Sequence, residues 1–401
     1  MKPQSGASRS ALGRTSELVH VAVITWLLSG CGTATTAPDY SWYDGTRAKH
    51  AGDAFVVRWT QPLAKPFEGR SIPVERAGAV ADTRRHFVYV ASTTGTLWSL
   101  TAEGDRRYRH EMDAGVESPP VLDEGADRLF AVAATGVVHA LRGSTGELLW
   151  EAHVGAPVSA TMALSDDALY VACDDDSVVA LSRADGEVLW RYRREPRTGF
   201  KIAGQAGLLL HDGRVVTGFS DGVIASLDAG DGREMWHVDT SLDVLGTGDE
   251  RTRFIDVDTT PVQIGDDVYA ASFSGGLYIV DSKRGIVRKR MSELTGVTGI
   301  DGDDRALLLS SADHGVLCLD VASHGLRWRH RIDRGAPGRP TLQAGTVYVA
   351  ESGGALLALT LSDGRETGRL ESGHGFDAGP LLRSGRGFIV SNAGTLFAFS
   401  Y

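Results

Sequence analysis

Residues 218–222 read Gly-Phe-Ser-Asp-Gly, the Gly-x-Ser-x-Gly pattern in which a sharp strand-to-helix turn exposes a serine nucleophile. That chemistry needs a helix after the turn. Here the five positions align with residues 91–95 of an internal repeat, and a strand follows, so Ser220 is expected to be a turn residue and no catalytic residue is assigned. Asp174-Asp175-Asp176 and Asp301-Gly302-Asp303-Asp304 gather carboxylates, but neither has the spaced ligands and distal Glu of a Ca²⁺ loop; both are expected to be solvated hairpin turns. The 12 histidines are scattered, with no His-Glu-x-x-His pair and no Cys/His cluster at metal spacing. Neither a metal nor a cofactor is expected.

The elements that would position any site come from the repeat. A short aliphatic strand, a turn and a second strand reading close to Gly-x-Leu-x-Ala-Leu recur eight times, with the turn at Gly95, Gly136, Asp176, Gly222, Gly275, His314, Gly354 and Gly394. A period near forty residues is propeller or solenoid spacing. Apolar residues alternate over four to six positions without a sustained helical period, which predicts strands. The second strand runs into a tight turn, Thr145-Gly146, Asp185-Gly186, Asp231-Gly232 or Asp363-Gly364, where glycine accepts a positive φ. Four residues on sits Trp150, Trp190 or Trp236, with Tyr108 in the first unit and Trp328 one residue early in the sixth, an aromatic able to seal the gap between adjacent sheets. A further strand opens at or near Pro120, Pro157, Pro261, Pro340 and Pro380. Four strands per unit predict an all-β, eight-bladed propeller. The last unit stops at Tyr401 without a fourth strand, and residues 54–59 form an isolated strand ending in Trp59, so the amino-terminal strand is expected to close the ring and remove two exposed edges.

The net charge of −10 argues against a nucleic-acid partner. Basic residues, an apolar run from Val21 to Leu28 and then Leu28-Ser29-Gly30-Cys31 resemble a bacterial lipoprotein signal; the run is too short to span a membrane as a helix. The expected organisation is a signal peptide at 1–30, a lipidated Cys31 with a flexible tether to 53, and a propeller at 54–401. Gly32 follows the cysteine, and the lack of an Asp there favours the outer membrane. Cys173 and Cys318 fall three blades apart, too far to bridge, and are expected to be buried apolar residues.

Two gaps in the repeat are long: 46 residues from Asp176 to Gly222 and 53 to Gly275, against 39 to 41 elsewhere. The surplus lies after Trp190 and after Trp236, in the same type of connection in neighbouring blades. Adjacent insertions on one face of a repeat protein are where a binding surface is usually built. The Asp-Gly-x-x-x-Trp repeat resembles the pyrroloquinoline-quinone (PQQ) dehydrogenases, which hold a quinone on the propeller axis with Ca²⁺ and often carry a vicinal Cys-Cys pair; this chain has no adjacent cysteines. The second insertion contains Asp256-Val257-Asp258-Thr259-Thr260-Pro261, and this string, with the lipoprotein signal, the eightfold repeat and the closing strand, resembles the BamB family of the outer-membrane β-barrel assembly machine. The resemblance implies a non-catalytic periplasmic scaffold, monomeric within a larger complex, that binds a POTRA domain of BamA. It implies partner-binding roles for Asp256 and Asp258 and, in the first insertion, for Phe200 and Ile202, where the family has Leu-x-Leu-Arg and this chain has Phe200-Lys201-Ile202-Ala203. Another periplasmic interaction propeller, or a quinoprotein enzyme, are the alternatives. Replacing Cys31 by Ser is expected to block processing and leave a heavier, uncleaved protein on an immunoblot of membranes; identical processing of variant and wild type would contradict a lipoprotein signal.

Overall fold

The computed structural model describes residues 49–51, 54–63, 74–195, 205–245 and 254–401. Each repeat folds into a four-stranded antiparallel sheet, and there are eight such blades. In the first blade the strands are Ala79–Asp82, Phe87–Ala91, Thr96–Thr101 and Arg106–Glu111. The middle two are buried almost throughout, and the fourth alternates between exposed and half-buried. That gradient explains the sequence: Val-, Leu- and Ala-rich runs in the middle strands pack against both neighbouring blades, whereas a strand with one wet face needs only alternation. The first strands of successive blades lie against one another, so they are innermost and the fourth strands form the rim.

What joins one blade to the next is an aromatic ring set on a glycine. Trp150 on the outer strand of blade 2 lies over Gly186 in the turn before the outer strand of blade 3, where an added Cβ would sit 2.6 Å from the indole. Gly186 has φ +80°, so both the backbone and the ring above it demand glycine. Tyr108 over Gly146, Trp190 over Gly232, Trp236 over Gly285 and Trp328 over Gly364 repeat the contact. The polar tip of each ring then donates to a carbonyl of the same turn. Trp190 Nε1–H reaches Ala229 O at 3.0 Å, Trp236 reaches Ser282 O at 2.9 Å, Trp328 reaches Leu361 O at 2.8 Å, and the Tyr108 hydroxyl reaches Gly143 O at 2.8 Å. Each staple thus buries a large apolar surface without stranding its N–H or O–H.

One seam departs from this rule in both partners at once. Blade 5 carries Lys289 where six of the other seven blades carry an aromatic, and the facing turn of blade 6 has His324 at φ +57° in place of glycine. With no ring to clear, the imidazole occupies the space and packs 6.3 Å from the Tyr269 ring. The positive-φ residue of that turn is therefore His324 and not the following Gly325, which places Trp328 four residues on and in register with the other blades rather than one residue early.

The ring closes as the sequence implies. Val56–Pro62 pairs antiparallel with Thr395–Ser400 as the outer strand of blade 8, and Trp59 staples it to blade 1, lying over Gly104 and donating to Ala102 O at 3.0 Å. Lys49–Ala51, inside the stretch expected to be tether, adds a fifth strand to blade 7 by pairing with residues 369–371. Gly368 stands at the aromatic position of blade 7; a side chain there would strike Ala54 and Phe55, and Phe55, fully buried, fills the seam against Tyr348 and Phe399. Asp176, expected in a solvated turn, is instead only 1 % exposed. It adopts φ +61° where most blades have glycine, and accepts from the Ser220 backbone N–H at 2.8 Å and from the Ser220 hydroxyl. The serine of the hydrolase-like pattern thus clamps blade 4 to blade 3, and a strand follows it.

Past the closing strand, Glu75 is 3 % exposed and accepts from the Thr93 backbone N–H at 3.0 Å and the Thr93 hydroxyl at 3.1 Å. Burial pushes its carboxyl up to about 7, against the lowering effect of those hydrogen bonds. A folded-state value above the unfolded one means that the native state holds the proton longer, so stability falls as pH rises from about 4.5 to 7 and is level beyond. Glu75→Gln is expected to remove that decline, gaining about 3 kcal/mol over wild type at pH 8 relative to pH 4.5 in urea unfolding across this range; parallel curves for the two proteins would refute it. Trp236→Ala is expected to cost about 3–5 kcal/mol in the same assay, whereas Lys289→Ala, at the seam without a staple, is expected to stay within about 0.5 kcal/mol.

Candidate partner-binding surface

The second insertion joins the outer strand of blade 4 to the inner strand of blade 5, starting from the face that carries the Gly222 turn. Phe200 and Ile202 lie outside the described residues. The second insertion begins with a one-turn helix, Ser241–Leu245. Thr240 fixes its start by donating both its N–H and its hydroxyl to Gly222 O, at 2.9 and 2.8 Å, and the Ser241 N–H and hydroxyl both bond Asp239 Oδ1. Asp243 ties the helix to blade 5 through the Tyr278 hydroxyl at 2.9 Å and Arg290 at 3.2 Å. Val244 is buried, and Leu242 projects with 69 % exposure, the highest of any large apolar side chain among the described residues.

Residues 254–260 then zip into the cleft between blades 4 and 5. The Ser274 N–H donates to Phe254 O, the Phe273 N–H to Asp256 O, and the Val257 N–H to Phe219 O at 3.2 Å; the Thr259 hydroxyl accepts from Ala271 N–H at 2.9 Å. Gly218 is required because any Cβ would collide with Val257. The same backbone pattern recurs in other blades, where the carbonyl equivalent to that of Asp256 belongs to Gly115, Pro157, Gly296, Ala336 or Gly375. Asp256 is the one member of this set with a polar side chain.

The two aspartates for which the resemblance implies partner-binding roles differ in depth. Asp256 has 0 % exposure, and Val257 and Thr259 are buried with it; Asp258 is half-buried. Alternation along an extended segment would have put Asp256 and Asp258 on one face, but the segment lies in a cleft, and depth decides exposure here. Asp258 stands four residues ahead of the innermost strand of its blade, as Glu117, Ser159 and Asp377 do in theirs. The same insertion also presents apolar side chains: the exposed Leu242, and the half-buried Phe254, edge-on to Phe273 of the adjoining turn with ring centroids 6.0 Å apart. None of these three was singled out from the sequence, although one signal was there. Phe273 occupies a turn position that is Thr93, Ala134, Asp174, Ser220, Ala312, Ser352 and Asn392 in the other blades, small or polar in every case.

No three His, Cys, Asp or Glu side chains converge as metal ligands among the described residues. Cys173 and Cys318 are free and buried, and burial pushes both thiols up to about 11, well away from reactive thiolates.

Fold and surface together define an eight-bladed propeller of PQQ-like repeats with one elaborated face. A family model described as outer membrane protein assembly factor BamB matches residues 125–330, and the chain belongs to that family. The outer membrane protein assembly factor BamB of Burkholderia pseudomallei is 26% identical over 349 residues, covering 85% of this chain and 87% of the relative. Among solved structures, BamB from Moraxella catarrhalis superposes with a TM-score of 0.71 at 19% identity, covering 86% of this chain and all of that one. The quinohemoprotein alcohol dehydrogenase from Comamonas testosteroni superposes with a TM-score of 0.62 at 13% identity, covering 86% of this chain and 76% of its own; at such identities the likeness is one of fold alone. Asp256→Ala is expected to lower stability by about 2 kcal/mol, read by urea unfolding; a loss within about 0.5 kcal/mol would mean that the buried carboxylate makes no stabilising contact.

Proposed function

We propose that this protein is a non-catalytic scaffold lipoprotein, held at the outer membrane through lipid on Cys31 and facing the periplasm, that assists assembly of β-barrel proteins by binding a POTRA domain of a BamA-like partner. The observation that supports the reading is the insertion between blades 4 and 5, which carries the exposed Leu242, the half-buried Phe254 edge-on to Phe273, and Asp258, in a member of the BamB family. An apolar patch and a carboxylate in one connection suit a folded partner domain that offers an aliphatic side chain and a cation. Asp256 contributes by holding the segment in its cleft, and Asp258 by meeting the partner's charge.

The test is the affinity of the full chain for the isolated POTRA region of BamA. Leu242→Asp is expected to weaken binding at least about tenfold while leaving the melting curve in place, because the Leu242 side chain is 69 % exposed. A folded variant that binds as tightly as wild type would move the interface elsewhere on the propeller.

A further inference from the structure

Where the ring closes, blades 8 and 1 part on the face opposite the insertions. A cavity of about 420 Å³ opens there, with Trp59, Phe388 and Phe399 as its apolar wall and Arg58, Arg386 and Ser400 at its mouth. A second cavity of about 260 Å³ shares Arg386 and Phe388 with it and adds Arg383. At equivalent points of other seams the first arginine of the second strand plugs the gap: Arg128 donates to Arg183 O, and Arg214 to Ser282 O at 2.9 Å. Arg386 holds the same position but turns to Glu103, 3.3 Å away and exposed, so the seam stays open. Arg58 donates to the Ser400 hydroxyl at 2.7 Å; neither Arg58 nor Arg383 makes an ion pair among the described residues.

The wider charge distribution singles out the same place. Blades 8 and 1, residues 54–63, 74–111 and 373–401, hold nine arginines against six carboxylates. Blades 2 to 4, residues 112–195 and 205–245, hold eight arginines and no lysine against twenty-two carboxylates. A protein this acidic is repelled by an anionic surface except through its cationic sector, and here that sector contains a cleft in which guanidinium groups border an indole and two phenyl rings. That combination matches a lipid–water interface, with arginine at the phosphate and Trp and Phe at the glycerol level.

We propose that the closure cleft docks the phosphate headgroup of an anionic phospholipid, so that the propeller rests its seam on the membrane and turns the insertion face toward its partner. The proposal rests on the membrane-anchored reading above. Its test needs no lipid on Cys31: the chain produced from residue 32, which retains every described residue, is sedimented with vesicles of phosphatidylglycerol and phosphatidylethanolamine and, separately, of phosphatidylcholine. Binding is expected to the anionic vesicles alone and to weaken with salt. It should fall about fivefold for each arginine removed in Arg58→Ala and Arg383→Ala, with unchanged melting. Arg233→Ala, on the exposed rim of blade 4, is expected to bind as wild type. Equal binding to phosphatidylcholine, an equal loss in Arg233→Ala, or complete displacement by inorganic phosphate at the same phosphate concentration would each overturn lipid docking. Loss of vesicle binding with POTRA affinity intact would remove this inference and leave the scaffold reading standing; the converse would remove the scaffold reading alone.

Discussion

The propeller depends on one contact repeated around the ring, an aromatic side chain laid on the bare backbone of a turn in the next blade. Sheets pack face to face through aliphatic residues that give little directional preference, and many slightly different angles would bury similar area. The staple adds direction. A Trp ring can lie flat only where there is no Cβ, and its N–H can be satisfied only by a carbonyl at the right height, as at Trp190 and Ala229 or Trp328 and Leu361. Removing either half exposes the logic, as nature has done between blades 5 and 6, where Lys289 and His324 change together. The amino-terminal strand matters for the same reason. Beyond supplying hydrogen bonds to Thr395–Ser400, it brings Trp59, without which the seam between blades 8 and 1 would lack its staple.

This economy explains why so much of the architecture was legible in the sequence. The turn glycines, the aromatic four residues on and the truncated last unit are local features, and each is dictated by backbone geometry that the chain reveals in order. What escaped was whatever depends on depth. Asp256 and Asp258 look alike in the chain, yet one lies fully buried and the other half-buried, because residues 254–260 run through a cleft walled by Gly218 and Phe273. Asp176 looked like a solvated turn residue for the same reason, and proved to be a buried clamp on Ser220. Leu242 drew no notice because a single leucine in an insertion carries no pattern; only the short helix that pins Val244 inward makes it project. Phe273 could have been found by comparing turn positions across blades.

The molecule is polarised in two senses. Around the ring, the acidic arc of blades 2 to 4 stands apart from the arginine-rich closure seam. Across its faces, the elaborated connections between blades 4 and 5 lie on one side and the open cleft at Arg58 and Arg386 on the other. A propeller is well suited to hold such separate surfaces in fixed relation, since its hinge-free ring leaves little freedom between one blade and the next. The shared fold of a quinoprotein dehydrogenase shows that function cannot be read from the propeller itself.

On the proposed reading, the face that carries the connection between blades 4 and 5 meets a BamA-like partner. The most direct measurement is site-specific photocrosslinking in native membranes, with a photoreactive residue at Leu242 or Phe254 and, for comparison, at Leu326 on the exposed rim of blade 6. An adduct with BamA is expected from positions 242 and 254 and none from 326. An adduct from 326 with none from 242 or 254 would contradict it.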